Sequence, residues 1–360
     1  MSGAGRVVVA GAGAFGSAIA LELARGGADV VLADPAEVGD NASGVAAGML
    51  APAFEALLDA QCADHFPLLA EARDLWTAFA APFGEAAFGL RRDGAVWLTL
   101  PEDPPALIEQ RRAGLQALGA ACAPYAAAEL AGLAADVAGA PALFTPEDWR
   151  LEPQSALDAL RAAAGSAGAR LVRAEVVAFE PGRVRLSSGE TLAADHLVVA
   201  TGAEASALAP ELGVLSPIKG HILGYPGLAG LAEAPVLRCR LGYAVGGAHR
   251  LSIGASMEPG LADRAIDPAV VLRLSDLAGA LVPALAGARP TPRAAVRAAT
   301  PDALPLVGPS ERPGVILAVG ARRNGWLLAP LVARMTAAYL AGRDLGPHAA
   351  RLDARRFAPA

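Results

Sequence analysis

Gly11, Gly13 and Gly16 stand in the spacing Gly-x-Gly-x-x-Gly, directly behind the apolar run Arg6-Val7-Val8-Val9-Ala10. Residues of these types in this order can hold a pyrophosphate. The first glycine permits a tight turn, the second lets backbone amides approach the phosphates, and the third lets a helix pack closely on the strand. The helix N-terminus then turns its positive dipole end to the anion. Asp34 closes the next apolar run, where a carboxylate can accept hydrogen bonds from ribose hydroxyls. With 40 glycines in the chain, chance matches to the bare motif are common, so the strand–turn–helix–strand setting carries the assignment. The motif does not separate FAD from NAD. Residues 41–52 are small, uncharged and glycine-bearing, which lets backbone run beside a flat ligand. Near the other end, Arg323-Asn324-Gly325 joins a buried run to a long helical stretch. The helix N-terminus there faces whatever lies above the strand, and Asn324 is a natural helix cap.

These groups need a frame. Strand 6–10, helix 14–25 and strand 29–34 form a βαβ unit, so the first sheet is expected to be parallel. Further helices are expected over 64–81, 104–118, 126–137, 154–164 and 268–285, and a final long one over 325–342. Strands are expected over 94–100, at a sheet edge over 143–146, over 170–179, 183–187, 191–193 and 197–200, and over 314–320. Residues 216–257 alternate and turn repeatedly, with a hairpin around Gly246-Gly247, and 294–308 are extended. The expected fold class is α/β, a Rossmann-like FAD-binding domain interleaved with a mostly antiparallel α+β substrate domain. The first takes residues 1–85, 146–214 and 299–360; the second takes 86–145 and 215–298.

Bulk properties exclude several classes. The chain has 360 residues, 54% of them hydrophobic, which suits two modest domains with a large core. A net charge of −6 offers no basic footprint for nucleic acid. No apolar run reaches the roughly 18 residues of a membrane span, and no secretory leader pattern opens the sequence, so a cytoplasmic protein is expected. Cys62, Cys122 and Cys239 are scattered and odd in number, against a disulfide framework. His65, His196, His249 and His348 lack ligand spacing, so no metal is expected.

The motifs resemble a known family. The glycine motif, then Ser43-x-x-Ala46-Ala47-Gly48-Met49-Leu50-Ala51-Pro52, then Ala299-Thr300-Pro301-Asp302-Ala303-Leu304-Pro305, then Gly320-Ala321-Arg322-Arg323-Asn324-Gly325-Trp326, is similar to the glycine oxidase branch of the D-amino-acid oxidase superfamily. The order and spacing cover nearly the whole chain, with residues 86–145 carrying least. The resemblance implies non-covalent FAD. It sets Ala14 and Phe15 at the pyrophosphate turn, Asp34 and Pro35 at the ribose, and Val176 at the adenine. Ala42, Ser43, Ala47, Gly48 and Met49 would run beside the pyrophosphate and flavin. Residues Ala321 to Leu327 would wrap the pyrimidine side of the flavin, where a helix dipole favours the reduced anion.

For substrate, the resemblance implies that Arg297 and Tyr243 hold an amino-acid carboxylate, with Arg323 at or near the site. Arg suits a planar carboxylate through two parallel bonds, where Lys offers a point charge. No general base is assigned, because a substrate bound as the neutral amine needs none. The implied reaction is oxidation of glycine, or of a small amine or D-amino acid, to an imino acid with O2 reduced to H2O2, in the service of thiamine thiazole synthesis. Relatives form homotetramers, which sets the expectation for assembly. The chain departs from the family where Tyr243-Ala244-Val245-Gly246-Gly247 replaces a Tyr-x-Val-Pro-Arg pattern, which should loosen the strand beside the pocket. It departs again where Ala321-Arg322 replaces a histidine and an aromatic, adding charge near the flavin. These leave open a D-amino-acid or sarcosine oxidase or dehydrogenase, or a non-catalytic flavin-binding subunit. Ala295 stands where sarcosine oxidases carry the cysteine that tethers flavin. His221, after Lys219-Gly220, is either close to the flavin or a satisfied or surface histidine.

Overall fold

The run Val7-Val8-Val9 becomes the strand Arg6–Ala10 in the interior of a six-stranded sheet in the computed structural model, which describes residues 5–204, 206–247 and 249–357. The order across this sheet is Leu306–Pro309, Val315–Val319, His196–Val199, Arg6–Ala10, Asp29–Ala33, Arg170–Val172. Every neighbouring pair is parallel except the edge strand Leu306–Pro309, which runs against Val315–Val319. Continuous apolar runs suit a sheet covered on both faces. Val7, Val9, Val30 and Leu32 point into a core shared with the helices Ala14–Arg25 and Gly325–Ala341. Their alternates Val8, Ala10, Val31 and Ala33 face Phe179 and Val184 of a small three-stranded antiparallel sheet. Each fully buried valine contributes about 1.5–3 kcal/mol.

The second large sheet has nine strands. Its order is Ala123–Tyr125, Ala142–Thr145, Ala95–Leu98, Val236–Cys239, Gly242–Val245, Arg250–Gly254, then the long strand Ser216–Pro226, which also pairs with Glu258–Pro259 and Thr291–Ala299. All pairs are antiparallel except Val236–Cys239 with Ala95–Leu98. One face packs Leu223, Leu251 and Ile253 under Val270, Leu274 and Leu277 of the helix Pro268–Leu281. The other face carries a row set by register: Ile222, Gly254, Tyr243, Arg238 and Trp97 lie side by side on successive strands. Arg297 pairs with Ile218 and, by the two-residue repeat of a strand, shares that face.

Some expected elements differ. The 170–179 stretch splits, because Arg170–Val172 completes the parallel sheet while Val176–Glu180 joins the three-stranded one. Ala142–Thr145 is not an edge, since Ala123–Tyr125 pairs outside it. The weak helix over 126–137 breaks into the short turns Ala127–Glu129 and Ala135–Gly139 around Gly132, whose φ is 89°. Among the described residues, no helix is long and apolar enough to cross a membrane.

Candidate active site

The helix Ala14–Arg25 starts at Gly13 with no cap from that residue, and beyond Ala14 its first-turn amides are left to meet an anion. Gly11 adopts φ 95°, open to glycine at little cost, and a methyl group there would meet Ala200 O at 2.5 Å. Asp34 braces the turn, accepting from Ala12 N at 2.6 Å and Ala36 N at 2.8 Å, and Ser43 Oγ accepts from Ala14 N at 2.9 Å. A long cleft opens above these groups. Gly11, Gly13, Ala14 and Phe15 line it, followed by Asp34, Pro35 and Val176. Ala42 and Ser43 line it too, as do Ala321, Arg322, Arg323, Gly325 and Trp326. Asn324 makes no side-chain cap to the final helix, so that helix also presents free first-turn amides, and Trp326 Nε1 donates to Ser43 O at 3.0 Å. An uncapped helix start, a glycine turn without side chains and a ribose-level carboxylate fit a dinucleotide.

A second cavity of about 260 Å³ adjoins the cleft, and Ala42, Arg297, Arg323 and Trp326 line both. Ala47, Gly48, Met49 and Asn324 line this cavity. Gly16 and Leu327 line neither space. Gly16 lets the helix close on Gly11 O, as its type suggested, whereas Leu327 is fully buried in the core beneath the sheet.

Arg297 and Tyr243 both reach this cavity, and each lies over a glycine. A methyl on Gly220 would overlap the Arg297 guanidinium, and one on Gly254 would stand 2.6 Å from the Tyr243 hydroxyl. The two side chains therefore fold over the sheet rather than stand off it. Among the described residues Arg297 has no carboxylate partner; its Nη1 donates to Ser256 O at 3.4 Å and to Met257 Sδ at 3.8 Å. Burial pushes its pKa below the usual arginine value, aided by the charge of Arg323, while Tyr243 pulls the other way. Burial raises the Tyr243 pKa, so its hydroxyl stays protonated and able to donate. A guanidinium without a carboxylate partner beside a phenol donor has the geometry and charge to receive one carboxylate.

Glu55, Asp59 and Arg238 join this site without having been singled out in the sequence. Asp148 accepts from Ala53 N at 2.8 Å and Phe54 N at 3.3 Å, fixing the start of the helix Pro52–Leu58 that carries Glu55. Glu55 is 6% exposed and takes Arg238 Nη2 at 2.9 Å and Arg323 Nη2 at 2.6 Å. Arg323 also meets Asp59 at 3.0 Å, and Arg322 pairs with the same carboxylate. The extra charge expected from Arg322 is therefore compensated. One signal was legible: Glu55 is the only charge in the run Ala51-Pro52-Ala53-Phe54-Glu55-Ala56-Leu57-Leu58.

Burial alone would raise the Glu55 pKa, but Arg323 and Arg238 outweigh it and hold the carboxyl below its ordinary range. A depressed carboxyl stabilises the fold above its unfolded pKa, and the benefit is lost as pH falls through the folded pKa. Glu55→Gln is expected to destabilise by about 3 kcal/mol at pH 7, since it leaves buried guanidiniums short of charge. Thermal unfolding of the pair across pH should show the gap narrowing below pH 4; a constant gap, or none at pH 7, would contradict this.

One open alternative is decided and one expectation changes. His221 is fully buried, with Nδ1 at 2.9 Å from Glu258 Oε1 and Nε2 accepting from Asp267 N at 3.0 Å. It lines neither space and ties down the 258–267 segment instead. Gly246-Gly247 does not loosen the pocket wall. Arg150 donates to Gly246 O, a methyl on Gly246 would overlap Leu231 O, and neither glycine lines the cavity.

Residues 6–339 match the family model described as FAD dependent oxidoreductase, DAO. A glycine oxidase of Geobacillus kaustophilus (strain HTA426) is 30% identical over 347 residues, which span 92% of this chain and 91% of that one. The bifunctional protein ThiO/ThiG of a Nostoc species is 31% identical over 372 residues, 92% of this chain and 52% of its own length. The crystal structure of glycine oxidase from Geobacillus kaustophilus superposes with a TM-score of 0.85 at 28% identity, covering 98% of this chain and 100% of that chain.

Proposed function

The chain belongs to the DAO family of FAD-dependent oxidoreductases, and from that premise we propose that it deaminates glycine, or another small amine or D-amino acid, oxidatively to the imino acid. In this reading O2 is reduced to H2O2, and hydrolysis of the imine gives glyoxylate or a 2-oxo acid with ammonia. The likeness to a ThiO/ThiG protein supports a supply role for thiazole assembly. The observation that carries the reading is Arg297, a guanidinium without a carboxylate partner, set with the Tyr243 hydroxyl in a cavity that opens on the dinucleotide cleft.

FAD, held through the residues lining the cleft, supplies the two-electron acceptor. The chain supplies position and field. Arg297 and Tyr243 grip the carboxylate and so fix the direction of Cα. The cationic surroundings of Arg297 and Arg323 disfavour an ammonium and so favour the neutral amine, whose lone pair assists loss of hydride. The Gly325–Ala341 helix N-terminus stabilises negative charge that develops beside it. Ala295 lines the cavity wall and offers no thiol, which supports non-covalent FAD.

The test is anaerobic mixing of the yellow protein with glycine, sarcosine and D-amino acids in turn. Bleaching of the flavin absorbance by at least one of them, followed by recovery and peroxide on admitting oxygen, is the expected outcome. Bound FAD that no amine bleaches would instead indicate a flavin-binding subunit without this activity.

A further inference from the structure

The cavity holds more cation than one carboxylate requires. Arg297 matches one carboxylate. Arg322 and Arg323 line the dinucleotide cleft and are paired with Asp59 and Glu55. Arg238 differs, because it lines the substrate cavity and not the cleft. It is 6% exposed. Its Nη2 donates to Glu55 Oε1 at 2.9 Å, while its Nη1 is buried with no hydrogen-bond partner among the described residues. A buried charged donor without an acceptor is costly, and folded proteins rarely retain one unless something satisfies it. Glu55 brings one negative charge to both Arg238 and Arg323, so this pair of guanidiniums keeps one positive charge in excess, and Glu55 Oε2, like Arg238 Nη1, makes no hydrogen bond among the described residues. Asp148 lies near but turns to the amides of Ala53 and Phe54.

Register places Arg238 beside Tyr243 on the neighbouring strand, on the face that also carries Arg297. Tyr243 thus stands between two guanidiniums. The cavity, about 260 Å³ in volume, runs from this face to Ala47, Gly48 and Met49, the residues expected beside the flavin. We propose that it takes an amino acid with a second anionic group, an amino dicarboxylate, with the α-carboxylate on Arg297 and Tyr243 and the second on Arg238. The inference rests on the reading of Arg297 as the carboxylate anchor.

The experiment is calorimetric titration of the FAD-loaded protein with non-oxidisable probes paired by chain length: butyrate against succinate, and valerate against glutarate. At least one dicarboxylate is expected to bind ten or more times tighter than its monocarboxylate partner. In Arg238→Met that advantage should fall below threefold while monocarboxylate binding stays within threefold of wild type, and Arg238→Lys should restore part of it. Equal binding of the two classes by the wild-type protein would overturn the inference without any variant, as would an advantage that survives Arg238→Met. Arg297→Met separates the two claims, since it should weaken both classes. If it leaves monocarboxylate binding intact, the anchor itself is misassigned.

Discussion

Arg297→Met is expected to lower kcat/KM for the preferred amine by roughly 10³-fold, in line with the cost of removing one partner of a buried charge-assisted pair. The loss should fall on both parameters. KM rises because the carboxylate loses its counter-ion, and kcat falls because Cα is no longer aimed. Among the described residues no other cavity side chain stands in its place: Arg323 is engaged by Glu55 and Asp59, and Arg238 lies across Tyr243 from the Arg297 position. Arg297→Lys should recover little, since an ammonium offers a point charge where the guanidinium offers a fork. Gly220→Ala is the companion variant. It keeps the guanidinium but pushes it from its seat, and should cost about tenfold by misplacement alone. Steady-state kinetics with retained flavin absorbance read all three. Turnover within threefold of wild type in Arg297→Met would remove the basis of the proposed function.

Gly11→Ala is expected to yield a largely colourless protein. An alanine there would hold φ 95° and press its methyl to 2.5 Å from Ala200 O and 2.8 Å from Ala200 C, both backbone atoms of the neighbouring chain segment. Backbone strain and overpacking together cost on the order of 2–6 kcal/mol. The strain falls on the turn that must present amides to the pyrophosphate, so part of it appears as lost affinity, tenfold for each 1.4 kcal/mol. After desalting, the FAD-to-protein ratio should be far below one, rebinding at least tenfold weaker, and Tm lower by a few degrees. Gly27→Ala is the control. Gly27 also has positive φ, 82°, but no atom lies within 4 Å of an added methyl, so the variant should stay yellow at a cost of about 1 kcal/mol. Equal flavin content in the two variants would show that the close approach at Gly11 is not what shapes the phosphate turn.

The dinucleotide cleft was legible in the sequence because its parts are local. Strand, glycine turn, helix and Asp34 fall within one βαβ stretch, and the turn conformation at Gly11 and the close packing at Gly16 follow from absent side chains. The long final helix and the strand before it were legible for the same reason, as was the α/β class.

The substrate cavity was a matter of tertiary structure. Arg238 and Glu55 are 183 positions apart and meet only because a short helix, started by Asp148, packs on the face of the nine-stranded sheet that carries Trp97 and Tyr243. Strand pairing decided that Arg238, Tyr243 and Arg297 share a face, since a slip of one residue would have turned any of them into the opposite core. It also decided that 170–172 and 176–180 serve different sheets, and that His221 is spent on Glu258 and Asp267. Short-range sterics and hydrogen bonding are written in neighbouring residues. Charge pairing across a sheet depends on register and on which elements cover it, and those are settled only when the whole chain has packed.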